Sequence, residues 1–444
     1  MERSVGKRIK ILRKDLGLTQ GDLAGDKLSR AMLSLIERDL TTPSLRTIEY
    51  LSYKLGVSVG DLLGEKKDLS NKSITYEEIK NGINICTTLY KVEKYNEAKI
   101  RLKDIVEIEE VHFAEKWLAH RLLGQIYEKL DQNEKALEHF NEALSYLPST
   151  ETKEIIEVYY YITLANRKLK DYKRGIESAL NATALINSRY VDIECLLQFE
   201  ILYNLALCYC RISEFQKGLE VVHQAMRIME ANKVTYVNGH FYMLKGLAEL
   251  YMKKYAEGIV STNAALGYLK LNEEPRKYIG SKINLGILKR KHGSIEESFI
   301  HLHEGLQKAK EYQFYDLSNN AYYELALSSF YNDELEKSEK HAQYGINLAG
   351  KGSYIYAQCC YVLGKINLKR GLYSEALTEL NKAETIFQSS KLKNPWTSLI
   401  KMEKAICYNK LDDSTNSFKN LIEANQLLLE KEIDIISTEI PVIH

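Results

Sequence analysis

The chain has 444 residues, 45% of them hydrophobic and 27% charged, with 61 Lys/Arg against 60 Asp/Glu. That length holds more than one structural unit, and the charge balance excludes a generally polycationic protein. Residues 1–67 nevertheless carry 13 Lys/Arg against 9 Asp/Glu, which places the small positive excess at the N-terminus, where it can meet phosphates.

The first 60 residues are predicted to form five short helices. In residues 5–15, Ile9 and Leu12 share one face, Lys7, Arg8, Lys10 and Lys14 lie elsewhere, and Gly17 stops the pattern. Thr19 with Asp22 reads as a capping box opening a second helix, and Gly25 and Asp26 turn the chain. Ser29 starts a third helix running to Glu37, Pro43-Ser44 starts a fourth, and Ser58 with Asp61 caps a fifth. Such a string of short helices reads as a helix-turn-helix domain.

The same stretch resembles the Xre/Cro-type DNA-binding family. The matching residues are L-T-Q at 18–20, S-R-A-M-L-S-L-I-E at 29–37, P-S-L at 43–45 and L-G-V-S at 55–58. The resemblance implies a structural pair between Arg13 and Glu37, and phosphate anchoring by Thr19 and Gln20 at a helix N-terminus. It places Ser29, Arg30, Ala31, Met32, Ser34, Leu35 and Arg38 on the reading helix or its ends, toward the major groove. Leu35 stands where Arg, Lys or Gln is common, so Arg30 is expected to lead base reading, with Met32 or Leu35 on thymine methyls. Asp39 stands where Gly is usual; Asp tolerates a left-handed backbone better than most residues. The competing reading, a dimerisation cap, leaves these polar positions without a purpose.

Residues 65–73, EKKDLSNKS, lack an apolar period, which sets the boundaries at 1–66, a linker at 67–73, a repeat domain at 74–432 and a tail at 433–444. The stretch LLGQIYEKLDQNEKALEHFNEALSYLP, residues 122–148, resembles the tetratricopeptide repeat (TPR) signature. Small residues at two fixed points let two helices of a hairpin cross closely. Such pairs, twelve apart, recur as Cys86/Ala98, Gly124/Ala136, Thr163/Gly175, Ala206/Gly218, Gly246/Gly258, Gly286/Ser298, Ala326/Ser338, Gly364/Ala376 and Ala405/Ser417. Nine pairs with a period of 38 to 43 residues predict nine long hairpins. Pro148, Pro275 and Pro395 fall where one helical pattern stops and another begins. The expected fold is all-α: a five-helix reader followed by a right-handed TPR-like solenoid, rather than an irregular bundle.

Chemistry-bearing motifs are scarce. The seven cysteines form no CxxC pair, which argues against a zinc ribbon or a disulfide framework. His301 and His303 point to different sides of a helix. There is no phosphate loop and no nucleophile elbow, so no enzyme, metal or cofactor is expected. The longest uncharged stretch, Gly352 to Gly364, is 13 residues, too short for a bilayer. With a start charged from its second residue, a cytoplasmic chain without a membrane partner is expected.

The TPR resemblance implies a concave surface lined by positions 2, 5, 6 and 9 of each first helix, with the small residue at position 8. On that frame Glu200, Tyr203, Asn204, His240, Asn284, Asn320, Tyr323 and Glu324 are the candidate peptide-binding residues. Asparagine offers a donor and an acceptor to an extended backbone, and tyrosine adds apolar area with a polar tip. Singly, each asparagine reads as a solvated helix residue; recurrence at one position is what groups them. Glu200 and Glu324 suggest a ligand with a basic group. Reader plus long repeats resembles the RRNPP group of Gram-positive regulators, its NprR-type members most. That resemblance implies a short signalling oligopeptide in the concavity, a homo-oligomer, expected to be a dimer, and a double-stranded inverted-repeat operator. A second reading is a TPR interaction switch that sequesters or dephosphorylates a response regulator.

Overall fold

The computed structural model describes all residues except 1–3, 26, 56, 58, 64–75, 109–112, 190–192, 235–237, 272, 390–395 and 430–444. The linker, the tail, the Ser58 cap and Pro395 therefore lie outside the described residues. Those that are described form helices and turns, with no strand among them.

The N-terminal five-helix unit, the reader expected from the sequence, consists of α1 (Val5–Asp15), α2 (Gln20–Ala24), α3 (Arg30–Glu37), α4 (Leu45–Leu55) and α5 (Val59–Leu63). Its core is Ile9, Leu23, Leu33, Ile36, Ile48, Leu51, Leu55 and Leu62. α1 crosses α3 so closely that a Cβ on Gly6 would lie 1.9 Å from the Ile36 carbonyl oxygen. Only glycine fits there. Asp39 takes a left-handed φ of 58°, which lets its carboxylate turn back to the start of α1. There Oδ1 accepts from the Gly6 N–H at 3.2 Å, and Ser4 donates its hydroxyl to Oδ2. The acid that replaces the customary glycine thus caps a neighbouring helix.

Nine helical hairpins follow. They are α6 (Tyr76–Lys91) with α7 (Tyr95–Val106), α8 (Phe113–Lys129) with α9 (Asn133–Tyr146), and α10 (Thr152–Lys168) with α11 (Tyr172–Arg189). Next come α12 (Cys195–Arg211) with α13 (Phe215–Asn232), α14 (Asn238–Tyr251) with α15 (Tyr255–Tyr268), and α16 (Pro275–Lys291) with α17 (Ile295–Glu311). The last are α18 (Tyr315–Tyr331) with α19 (Leu335–Leu348), α20 (Tyr354–Lys369) with α21 (Tyr373–Ser389), and α22 (Trp396–Lys410) with α23 (Ser414–Leu429). Pro275 is the first residue of α16, where its missing N–H costs nothing.

The twelve-residue pairs are the crossing points. Ser338 and Ser417 donate their hydroxyls to the Ala326 and Ala405 carbonyls at 2.8 and 2.9 Å. A Cβ on Gly218 would stand 3.2 Å from the Ala206 carbonyl, and one on Gly286 3.1 Å from that of Ser298. Seven residues after each small position the chain enters the left-handed region, at Glu93, Asp131, Lys170, Ser213, Lys253, Gly293, Asp333, Gly371 and Asp412. The next N–H then reaches back to a carbonyl of the ending helix, as from Gln132 to Tyr127 at 2.9 Å and from Lys254 to Glu249 at 2.8 Å. This is a Schellman closure, repeated in every hairpin.

The chain divides into two compact units, Met1–Glu194 and Cys195–His444. The first holds the reader helices and hairpins 1–3; the second holds hairpins 4–9.

Candidate functional site

In the five-helix unit the starts of α1 to α4 are each fixed by a side chain. Thr19 Oγ1 accepts from the Asp22 N–H at 3.2 Å while Asp22 accepts from the Thr19 N–H at 2.8 Å. Ser29 Oγ accepts from the Met32 N–H at 3.1 Å. α3 turns Leu33, Ile36 and Glu37 inward and leaves Arg30, Ala31 and Met32 exposed, with Ser34 and Leu35 half-buried beside them. Arg38 is exposed and donates to the Ser34 carbonyl at 3.2 Å, closing the helix. The outward face is therefore the one the sequence assigned to base edges.

Behind it, Arg13 grips Glu37 with two parallel bonds of 2.5 and 2.9 Å and donates to the Leu18 carbonyl at 2.7 Å. The expected structural pair is present, and Gln20 joins it by donating its amide to Glu37 at 2.8 Å. One Gln20 side-chain N–H is thus directed onto a buried carboxylate, while its backbone N–H stays at the start of α2. Burial pushes the Glu37 carboxyl up, but hydrogen bonds from Arg13 and Gln20 outweigh it and hold the group below the ordinary range. Sequence reasoning also missed Arg8, which donates to the Leu62 and Leu63 carbonyls at 2.9 and 2.7 Å and so caps α5. A basic residue that meets a distant helix C-terminus has no signature in local spacing.

The solenoid candidates all lie in the second unit. Position 6 is buried in hairpin 2 and in hairpins 4 to 8, but exposed in hairpin 1 at Asn84: Leu244 and Val362 are fully buried, and Asn204 and Asn284 are only 2% and 5% exposed. Asn320 and Tyr323 are buried as well. The expectation that these side chains stand open in the concavity is corrected for Asn204, Asn284, Asn320 and Tyr323, which are buried. Asn204 donates to the Glu200 carbonyl of its own helix at 2.8 Å. The carboxamide oxygens of Asn284, Asn320 and Gln358 are buried and meet no donor among the described residues. Glu324 is not an open acid: Arg290 holds it at 2.7 Å and also donates to its carbonyl oxygen at 3.0 Å.

What α12, α14 and α16 do present is a half-exposed group. The Tyr203 ring lies 5.6 Å from that of His240, whose Nε2 is 2.7 Å from Glu274. Lys277 donates to the same carboxylate at 2.6 Å. Burial raises the Glu274 carboxyl, but Lys277 and His240 bring it below its ordinary value. Among the described residues no three His, Cys, Asp or Glu side chains converge as metal ligands, and no helix is long and apolar enough to cross a membrane.

Residues 9–62 match the helix-turn-helix family, and residues 117–150 match the tetratricopeptide repeat family. The first match falls on the five-helix unit and the second on hairpin 2. The immunity repressor protein of Bacillus phage phi105 is 42% identical over 74 residues, 16% of this chain; the chain thus spans about half, 51%, of that relative's length. A Rap protein complexed with competence and sporulation factor shares the fold at 18% identity, covering 80% of this chain and 99% of that one, TM-score 0.52. NprR in complex with its cognate peptide NprX does so at 13% identity over 80% and 91%, TM-score 0.50.

Proposed function

We propose that the chain is a cytoplasmic transcription regulator whose residues 1–66 read an inverted-repeat operator and whose repeats, 74–432, bind a short signalling oligopeptide. The observation that carries this reading is one chain holding both a helix-turn-helix unit with an exposed α3 face and nine hairpins that carry a half-exposed group of Tyr203, His240, Glu274 and Lys277. The likeness of the reader to a phage repressor supports DNA as its partner. The likeness of the repeats to NprR, solved with its cognate peptide NprX, supports a peptide as theirs. A homodimer follows from the reader's size, because one module reaches few bases and a two-fold pair doubles them.

A bound peptide changes operator affinity only if its own affinity differs between two shapes of the repeats, by about 1–3 kcal/mol of coupling. Repeats that touch only neighbours accumulate small rotations and can supply such shapes. Tyr203 and His240, half-exposed on α12 and α14, are assigned to the peptide.

The test is a mobility-shift titration on a selected operator with wild type and Arg30→Ala. A loss of roughly 1–3 kcal/mol in specific binding, with discrimination at one base pair relaxed, is expected. Unchanged discrimination would remove α3 as the reading helix. Phosphate release from an aspartyl-phosphorylated response regulator, with no operator binding, would instead favour the interaction-switch reading.

A further inference from the structure

Three rings on the first helices of hairpins 7 and 8 surround one ammonium group. Lys365 Nζ lies 4.9 Å from the Phe330 ring centroid, 5.6 Å from Tyr331 and 5.8 Å from Tyr361. Glu403, on α22, closes the fourth side at 4.0 Å and accepts from the Tyr361 hydroxyl at 3.5 Å. We propose that Phe330, Tyr331, Tyr361 and Glu403 form a subsite for a ligand's ammonium or guanidinium group, occupied in the absence of ligand by Lys365.

Aromatic rings and a carboxylate around a cation are the chemistry that recognises ammonium ligands. The resident cation is held loosely. Its Glu403 contact is at the outer limit of an ion pair, and the Phe330 ring already carries a second ammonium, Lys369 at 5.5 Å, itself paired with Asp333 at 2.5 Å. Two like charges against one ring oppose each other. The four-carbon stem of Lys365 lets its head swing into water at little cost. Tyr331 is 51% exposed, which leaves the cage open on one side for an incoming group. The ligand class is a peptide with a basic side chain or an amino terminus; that identity, though not the cage itself, rests on the peptide-sensing reading.

The test uses the full chain and tetramethylammonium as probe, read by saturation transfer to its methyl protons, with equal sodium chloride as the control. Lys365→Gln empties the cage and is expected to bind the probe about tenfold more tightly than wild type, in line with a partly desolvated cation–π contact. Lys365→Arg should match wild type. Adding Tyr331→Ser, an exposed change that leaves the core intact, should abolish the gain. Equal binding by Lys365→Gln and wild type overturns the proposal, as does a gain that survives Tyr331→Ser. If the probe binds as expected while no peptide alters operator affinity, the cage stands and the sensor reading fails.

Discussion

Glu37 shows how one carboxylate organises the reader. It is 3% exposed, held by Arg13 and Gln20 from two helices, and its proton affinity is lowered despite burial. A depressed carboxyl contributes stability that is complete above its unfolded value, about 4.3, and is lost as pH falls through the lower folded value. Thermal melts of the chain from pH 7 to 3 should therefore show the reader's transition weakening on acidification, with a flatter profile in Glu37→Gln. Arg13→Ala leaves a buried charge uncompensated and should destabilise the reader by about 3–5 kcal/mol. A loss below about 1 kcal/mol in denaturant titration would show the pair to be solvated. The Arg13–Glu37 pair was legible because family spacing implied it. Gln20 was not, because nothing in a local window says that the first residue of α2 stands over a buried acid from α3.

At the scale of the element, the hairpin closures and crossings were readable in different degrees. Small residues twelve apart marked every crossing, because close approach is a steric demand that only a few side chains meet. The left-handed residue seven positions later was hidden, since Lys, Glu, Asp and Ser fill it in seven of nine hairpins. Lys253→Gly should therefore raise stability by about 0.5–1 kcal/mol, as the strained φ of 60° suits glycine. Two glycines of the fifth hairpin give opposite expectations. A Cβ at Gly246 would meet the Thr262 hydroxyl and backbone N within 3.2 Å, so Gly246→Ala should cost about 1–3 kcal/mol by overpacking. Gly267, with nothing within 4 Å, should gain up to about 1 kcal/mol as Ala through helix propensity. Paired melts check the sign of each.

Across the whole molecule, helical repetition and the reader were plain in the sequence, while the ligand surface was not. Positional matching brought Tyr203 and His240 together correctly, because their place on adjacent first helices follows from the repeat register. It failed for Glu324, whose partner Arg290 lies 34 residues away on the neighbouring hairpin and cancels the acidity read from the sequence. The account as a whole claims that the repeats sense and the reader responds. Its most direct test is operator binding by the full chain, followed by fluorescence anisotropy, with a library of short peptides and with Tyr203→Ala/His240→Ala as control. The account predicts that at least one peptide shifts operator affinity by roughly 5–150-fold and that the double variant loses the shift while still binding DNA. Peptides that bind the repeats yet leave operator affinity and oligomeric mass unchanged would contradict it.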